Sequence, residues 1–434
     1  MRQAKTVVSI TPMKIQADSR SFKIAASIAS FGYSSIVVEG SKSKLNRDRL
    51  PFALCTIADS FQTNGTPPPN EPSRSRNRHL RVGVHEAWKG VRARLPFLSV
   101  LIFMLRYIQR CVVIPLKHIP KATLYYLHGI TLFPAVYLLC KRYKVPFIYD
   151  AHDFYPGMYS PDEMRDLDFP QRWITIFYQY IESQIVKNAS AVITVSDGVA
   201  GLLRNTFNCR PLVLRNCHDS RLDREPPKRL RQLLGLSSNE FVLVAVGNAK
   251  EGMAIEEVLD AMTELPPRVH LVFLGRFYEP FMSSIRCRAL DDRVHVLPPV
   301  NPYEVVPFIR DADASIILYY PKSVDYANSL PNRFFQPIAA ELPLLYPELP
   351  EIKRIAEKYS VGIPVNPQEP RTISEAVAQL MNKPSLSATF KRNLQTAREE
   401  LSWENEERIL RTLISAALEQ DDESFTLALD SLRH

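Results

Sequence analysis

The chain has 434 residues, 46% of them hydrophobic and 23% charged, a globular composition whose length suits two domains better than one. Only 14 glycines exclude collagen-like and Gly-rich architectures. Fifty-four Lys and Arg against 46 Asp and Glu leave a net charge of +8, which suits an anionic partner. Nucleic acid is set aside, because the sequence has no zinc-ligand spacing, no basic heptad helix and no aromatic-basic signature of an RNA-binding sheet.

In chain order, TVVSI (6–10) and SIVVEG (35–40) read as the first strands. Residues 42–84 contain TPPPNEPSRSRNRHLR, with almost nothing apolar to bury, and are expected to form a mobile surface loop. Next comes LPFLSVLIFML (95–105) between Arg94 and Arg106. Eleven residues are too few to span a bilayer, which takes about 20. Two readings stand for this segment: a buried domain helix, or an apolar patch that makes peripheral contact with an anionic membrane. TLYYLHG (123–129), PFIYDAHD (146–153), AVITVSDG (191–198) and PLVLRN (211–216) complete the strands of the first half.

The charged, Pro-containing stretch 220–230 puts a domain border near Leu222. Beyond it the alternation resumes with FVLVAVG (241–247), VHLVFLG (269–275), RVHVLPP (293–299), ASIILYY (314–320), LPLLY (342–346) and VGIPV (361–365). Apolar strands alternating with helices predict an α/β fold of two Rossmann-like, doubly wound parallel-sheet domains, 1–222 and 223–400, facing a central cleft. The segment 401–434 is expected to carry a last helix that packs across the border. Six scattered cysteines without a CxxC read as free thiols, and residues 1–20 lack the apolar core of a secretory signal, so a cytoplasmic setting is expected.

The first strand is followed by Thr11-Pro12-Met13 instead of GxGxxG, and the chain has neither a Walker loop nor a GxSxG elbow, which argues against dehydrogenases, P-loop enzymes and serine hydrolases. In FVLVAVGNAKEGMAIEEVLDAM, Gly247, Asn248, Lys250 and Gly252 fall between a strand's C-terminal end and a helix. At that edge small residues let amides approach phosphate and a lysine neutralises it. Arg276 ends the next strand at the same edge. In YANSLPNRFFQPIAAELP, Ser329 suits an N-cap and Pro331 a first turn, so the following helix N-terminus makes an anion site with Arg333 beside it. His128 and His152 each close a strand, a place suited to acid–base work or to holding sugar hydroxyls, and Asp153 is a carboxylate able to orient either. Asp311-Ala312-Asp313 spells a metal-binding DxD, but it precedes a strand and so lies at the opposite sheet edge; no metal site is assigned.

The order of these segments is similar to that of the retaining glycosyltransferases of family four, a large GT-B group. YDAHDFYP, ITVSDGVAGLL and VLRNCHD resemble its N-terminal landmarks; GNAKEGMAIEEVLDAM, VHLVFLGRF, RVHVLPPV, SLPNRFFQPIAA and SWENEERIL resemble its C-terminal ones, over about residues 6–40 and 120–415. The resemblance implies a GT-B fold and transfer of a sugar from a nucleotide-diphosphate sugar to an unidentified acceptor, with no cofactor besides that substrate. It makes Lys250 and Arg333 diphosphate ligands and Arg276 a third, and puts Asn328, Ser329, Leu330, Asn332 and Gln336 in the donor site. With His128 and His152, Lys250 and Arg333 are the catalytic candidates. The family pattern has glutamates at Asn328 and Gln336 and a glycine at Glu341. These departures keep open a degenerate nucleotide-sugar-binding protein, and a nucleotide-sugar epimerase of the same architecture is the remaining alternative.

Overall fold

In the computed structural model, residues 5–57 and 96–419 are described. Their strands form two sheets in which every neighbouring pair is parallel. The first contains β1 (Thr6–Thr11), β2 (Ser34–Glu39), β3 (Ala53–Thr56), β4 (Leu124–His128), β5 (Phe147–Ala151), β6 (Ala191–Thr194) and β7 (Leu212–Val213), in the order β3-β2-β1-β4-β5-β6-β7. The second contains β8 (Phe241–Val246), β9 (Val269–Leu274), β10 (Val294–Leu297), β11 (Ala314–Ile316), β12 (Leu344–Pro347) and β13 (Gly362–Val365), in the order β10-β9-β8-β11-β12-β13.

Parallel strands need covered faces, and the residue pattern supplies them: every residue of β4, β5 and β9 is buried. Side chains such as Leu124, Leu127 and Phe273 are wholly enclosed, each contributing about 1.5–3 kcal/mol of burial. Strand order reverses between β1 and β4 in one sheet and between β8 and β11 in the other. At such switch points the loops diverge to opposite faces and leave a crevice at the strands' C-terminal ends. The residues following β1, β4, β8 and β11 are therefore the ones to inspect for chemistry.

The chain divides into two compact units, Met1–Val195 with Val199–Leu214 and Glu407–His434, and Ser196–Gly198 with Arg215–Glu406. The last helix, Trp403–Glu419, begins in the second unit and continues as part of the first. There the Lys5 ammonium donates to the Leu418 carbonyl at 2.7 Å, Tyr33 Oη and Ser415 Oγ lie 3.1 Å apart, and the Arg411 guanidinium covers the Phe31 ring.

Two expectations are corrected. The loop expected over 42–84 contains β3, whose Ala53 to Thr56 pair with Ile36 to Glu39; Leu54 and Ile57 are apolar enough to join the sheet despite the polar sequence beyond. Residues 58–84 lie outside the described residues. The apolar run expected at 95–105 does not stop at Arg106: from Pro96 the helix continues through a π-helical turn at Gln109–Val113 to His118. Its 23 residues are long and apolar enough to cross a membrane by length and composition. Nor is it a buried helix, since Phe97, Leu101, Leu105 and Ile108 are exposed.

Candidate functional site

In the first unit, the register of β4 on β5 sets His128 beside Asp150. His152 lies just beyond β5, and period-two alternation points it to the same side as Asp150. The Asp150 carboxylate is fully buried and is gripped by Arg20, whose Nε reaches both oxygens at 3.1 and 2.9 Å and whose Nη2 reaches Oδ1 at 2.8 Å. Tyr126 donates to Oδ2 at 3.2 Å, and His128 Nδ1 and His152 Nε2 approach it at 3.3 and 3.5 Å. The Arg20 Nη1 is spent on the Leu214 carbonyl. Asp18, the N-cap of the helix Ser19–Ser30, accepts from the Ser21 amide at 3.0 Å and from the Thr11 hydroxyl at 2.9 Å.

The electrostatics of this cluster drive its two histidines apart. Burial lowers the His128 pKa below 6.5 despite Asp150; at His152 the desolvation cost is outweighed by Asp150 and then Asp18, so its pKa is raised. Burial alone would raise Asp150, but Arg20 first and His152 next hold it well below its ordinary value. For Asp18, His152 and then His128 likewise overcome burial and lower the pKa. With His152 protonated and His128 neutral, two carboxylates meet two cations. His152 is 29% exposed and presents the titratable edge, whereas Nε2 of His128 is buried without a hydrogen-bond partner among the described residues. Opposed shifts in one cluster are the arrangement that separates acid from base.

Ligand atoms of His128, Asp150 and His152 lie within 4.8 Å of one another, a spacing compatible with a metal ion. Asp150 already accepts a bidentate guanidinium, however, and a divalent ion there would face Arg20 at contact distance. Asp153, expected as the orienting carboxylate, is exposed; Asp150 holds both rings. The signal for it was an acidic residue inside an otherwise apolar strand. Arg20, 130 positions away, carried no local signal.

In the second unit, β8 ends at Gly247, whose φ of +103° belongs to the left-handed region, and a side chain there would strike the Arg333 guanidinium at 2.7 Å. Arg333 Nη2 donates to the Asn248 carbonyl at 3.0 Å, and its Cζ lies 4.6 Å from the Tyr319 ring centre. Lys250 Nζ stands 4.8 Å from the same ring centre and 4.7 Å from that of Tyr326. Partial desolvation works to lower the Lys250 pKa, but the phenols of Tyr319 and Tyr326 hold it above its ordinary value while Arg333 opposes them. Two like charges thus share one aromatic platform, worth about 0.5–2 kcal/mol apiece. Among the described residues no carboxylate pairs with either.

The remaining donor candidates are spread around this pair. Gly252, at φ +85°, leaves room for Tyr326, whose hydroxyl donates to the Glu251 carbonyl at 3.2 Å. Arg276 is exposed, with its amide donating to the Asn248 side chain at 3.0 Å. Asn328 closes the helix Val324–Asn328 and its carbonyl accepts from Ser196 at 2.6 Å. Ser329 is not the N-cap that the sequence led us to expect. It caps the C-terminus of that helix, and Pro331, in extended conformation, is the N-cap of Asn332–Ala339. A proline has no side-chain acceptor, so Pro331 itself makes no side-chain cap to that helix. Leu330 is buried in the core with Phe334 and Ile338. Asn332 is exposed and accepts from Asn216, and Gln336 is half-buried. Glu341 has φ +58°, the conformation a glycine takes without cost, and its carboxylate pairs with Arg398. The DxD carboxylates tie Arg231 and the Val242 amide to the opposite edge of the sheet.

Comparison with known proteins fits this architecture. Residues 38–217 match the glycosyl transferase 4-like domain and residues 228–397 the glycosyl transferases group 1. No curated protein matches the chain in sequence. Among solved structures, sucrose-phosphate synthase from Thermosynechococcus elongatus superposes with a TM-score of 0.65 at 14% identity, over 95% of this chain and 100% of its own. HepE from Anabaena in complex with UDP-glucose gives 0.65 at 14% identity, over 95% and 99%. A putative UDP-N-acetylglucosamine 2-epimerase from Listeria monocytogenes gives 0.57 at 10% identity, over 97% and 99%. At such identities the likeness concerns the fold, which transferases and an epimerase share. The two domain matches together span most of the sequence, in the order of the two sheets, and the chain belongs to the group 1 glycosyltransferases of GT-B fold.

Proposed function

We propose that this protein transfers a sugar from a nucleotide-diphosphate sugar to an acceptor that is a polysaccharide, a lipid-linked sugar or a small molecule. The observation that carries the reading is the pair Lys250 and Arg333 on the Tyr319 ring, beside Gly247 at the switch point of the second sheet. Cations held by aromatic rings keep their charge for an incoming anion. As the glycosidic bond breaks the leaving diphosphate gains charge, so such groups stabilise the transition state more than the ground state. The reading calls for no metal. Arg276 is a third, weaker diphosphate ligand; Asn248, Gly252, Asn328, Ser329 and the Leu330 backbone line the donor, and Gln336 bonds the ribose.

On the first unit, His152 is the group that exchanges protons or binds a sugar hydroxyl, with His128 neutral behind it. Retention of configuration and a hexosyl donor rest on the family resemblance. Six cysteines, none in a disulfide among the described residues, support a reducing, cytoplasmic setting. The departures at Gln336 and Glu341 favour, as a second reading, a binding protein without turnover.

A thermal-shift series of nucleoside diphosphates and their sugars should raise the unfolding temperature for one base, because a bound donor stabilises the folded state. Radiolabel from that donor then appears on an acceptor or in free sugar if the protein is a transferase, stays on the nucleotide as a new sugar if it is an epimerase, and remains unchanged if it only binds. No shift with any nucleotide overturns both readings.

A further inference from the structure

We infer that the outward face shared by the helices Pro96–His118 and Phe169–Asn188 is a docking surface for an anionic lipid bilayer. Phe97, Leu101, Leu105 and Ile108 recur at the spacing of one helical face and are 76%, 54%, 59% and 46% exposed. On the second helix Ile176 and Tyr180 do the same at 53% and 59%. The two helices are locked together from within, where Phe103 meets Phe177 and Tyr178 edge-on and Tyr107 meets Phe177 at 5.0 Å, and at the outer edge Phe97 meets Phe169 at 5.3 Å. The outward residues therefore form one apolar strip on a rigid support.

The first helix is long enough to cross a membrane, yet it does not have the freedom to do so. Tyr107 and Cys111 are buried on its inner side, and Ile114, Leu116 and, just past its end, Ile119 belong to the packing of the unit's core. A helix held this way lies along a surface. The charge pattern identifies the surface: between residues 96 and 149 there are seven Lys and Arg and no Asp or Glu, and on the helix of the apolar strip Arg106 falls between Leu105 and Ile108 while Arg110 and Lys117 follow. Of the acids near the start of the second helix, Asp162 pairs with Arg165 and Glu163 and Asp168 serve capping boxes, while Asp166 is exposed, so the cations outnumber the acids left over. Large apolar side chains bordered by cations fit an interface that is apolar within and anionic at its rim. This inference goes beyond the transferase reading and does not depend on it.

The test is sedimentation of the full chain with vesicles of phosphatidylglycerol and, separately, of phosphatidylcholine. The wild type should pellet with the first, stay in the supernatant with the second, and be released by high salt. The triple variant Leu101→Gln, Leu105→Gln, Ile108→Gln should lose more than about tenfold in bound fraction at an unchanged unfolding temperature. If the triple change unfolds the protein, Leu105→Gln alone serves, with a smaller loss. Recovery of the wild type in the supernatant with both vesicles overturns the inference, as does undiminished pelleting of a folded variant. A vesicle-independent dimer that the same variant abolishes assigns the face to a second copy of the chain and overturns it as well.

Discussion

Arg20 and Arg333 each stand beside the switch point of a parallel sheet, in different units, and their surroundings give them different work. Arg20 is buried and spends its guanidinium on Asp150 and the Leu214 carbonyl. Arg333 lies on the Tyr319 ring and donates to the Asn248 carbonyl, with no carboxylate partner among the described residues. A charge neutralised by a buried carboxylate fixes structure and tunes its neighbours. A charge parked on an aromatic face and a carbonyl is oriented without being neutralised, so it is ready for an anion. The first arrangement sets the protonation of two histidines; the second leaves a cation for the diphosphate that the proposed function calls for.

The largest expected effect separates these roles. Asp150→Ala removes the carboxylate that grips the buried Arg20 guanidinium and should cost about 3–5 kcal/mol of stability in urea titrations. Lys250→Ala and Arg333→Ala should leave the unfolding midpoint nearly unchanged but lower transfer by about 2–4 kcal/mol, or roughly 30- to 1000-fold. If the donor-site variants unfold the protein, or if Asp150→Ala is as stable as the wild type, the distinction fails. Near-normal transfer by both cation variants would place the diphosphate elsewhere. Next in size is Gln336→Ala, which should weaken nucleotide binding by about 1–2 kcal/mol in calorimetry, while Gln336→Glu should bind at least as well. Unchanged affinity in the alanine variant would remove this residue from the nucleotide site.

The smallest effect is a pair of opposite slopes. The folded state raises the His152 pKa above 6.5, so its stabilising contribution is complete below that value and lost as pH rises through the folded pKa. His128 is depressed below 6.5; the unfolded state takes up its proton first, and stability falls as pH drops through that window. The stability difference between the wild type and His152→Gln should therefore shrink with rising pH near neutrality, whereas that for His128→Gln should grow with rising pH below 6.5. Parallel slopes would mean that the balance of burial against Asp150 does not differ between the two rings.

What was legible in the sequence follows the range of the interactions involved. Lys250 and Arg333 could be found because a βα turn and a helix start are local patterns, and both end on the same ring. Arg20 and Asp150 could not, because the bond between them joins residues 130 positions apart and a buried ion pair leaves no periodic trace. β3 was hidden because its four residues adjoin a long polar stretch. The 95–105 run was read too short because Arg106 and Arg110 look like a flank, although a helix can carry both without ending. At 341 the residue departs from the family's glycine while the backbone keeps the conformation a glycine takes there, so the fold persists where the residue type does not.

The division of the chain bears on its biosynthesis. The first unit is assembled from Met1–Val195, Val199–Leu214 and Glu407–His434, and Lys5, Phe31 and Tyr33 contact the helix that ends at Glu419. Domains ordinarily fold as they emerge, the N-terminal one first. Here the opening strand and its neighbours emerge early, but their last packing partner is translated only after the whole second unit. A ribosome-bound chain halted after Leu214 therefore holds a sheet without its closing helix, and the unit made first is completed last.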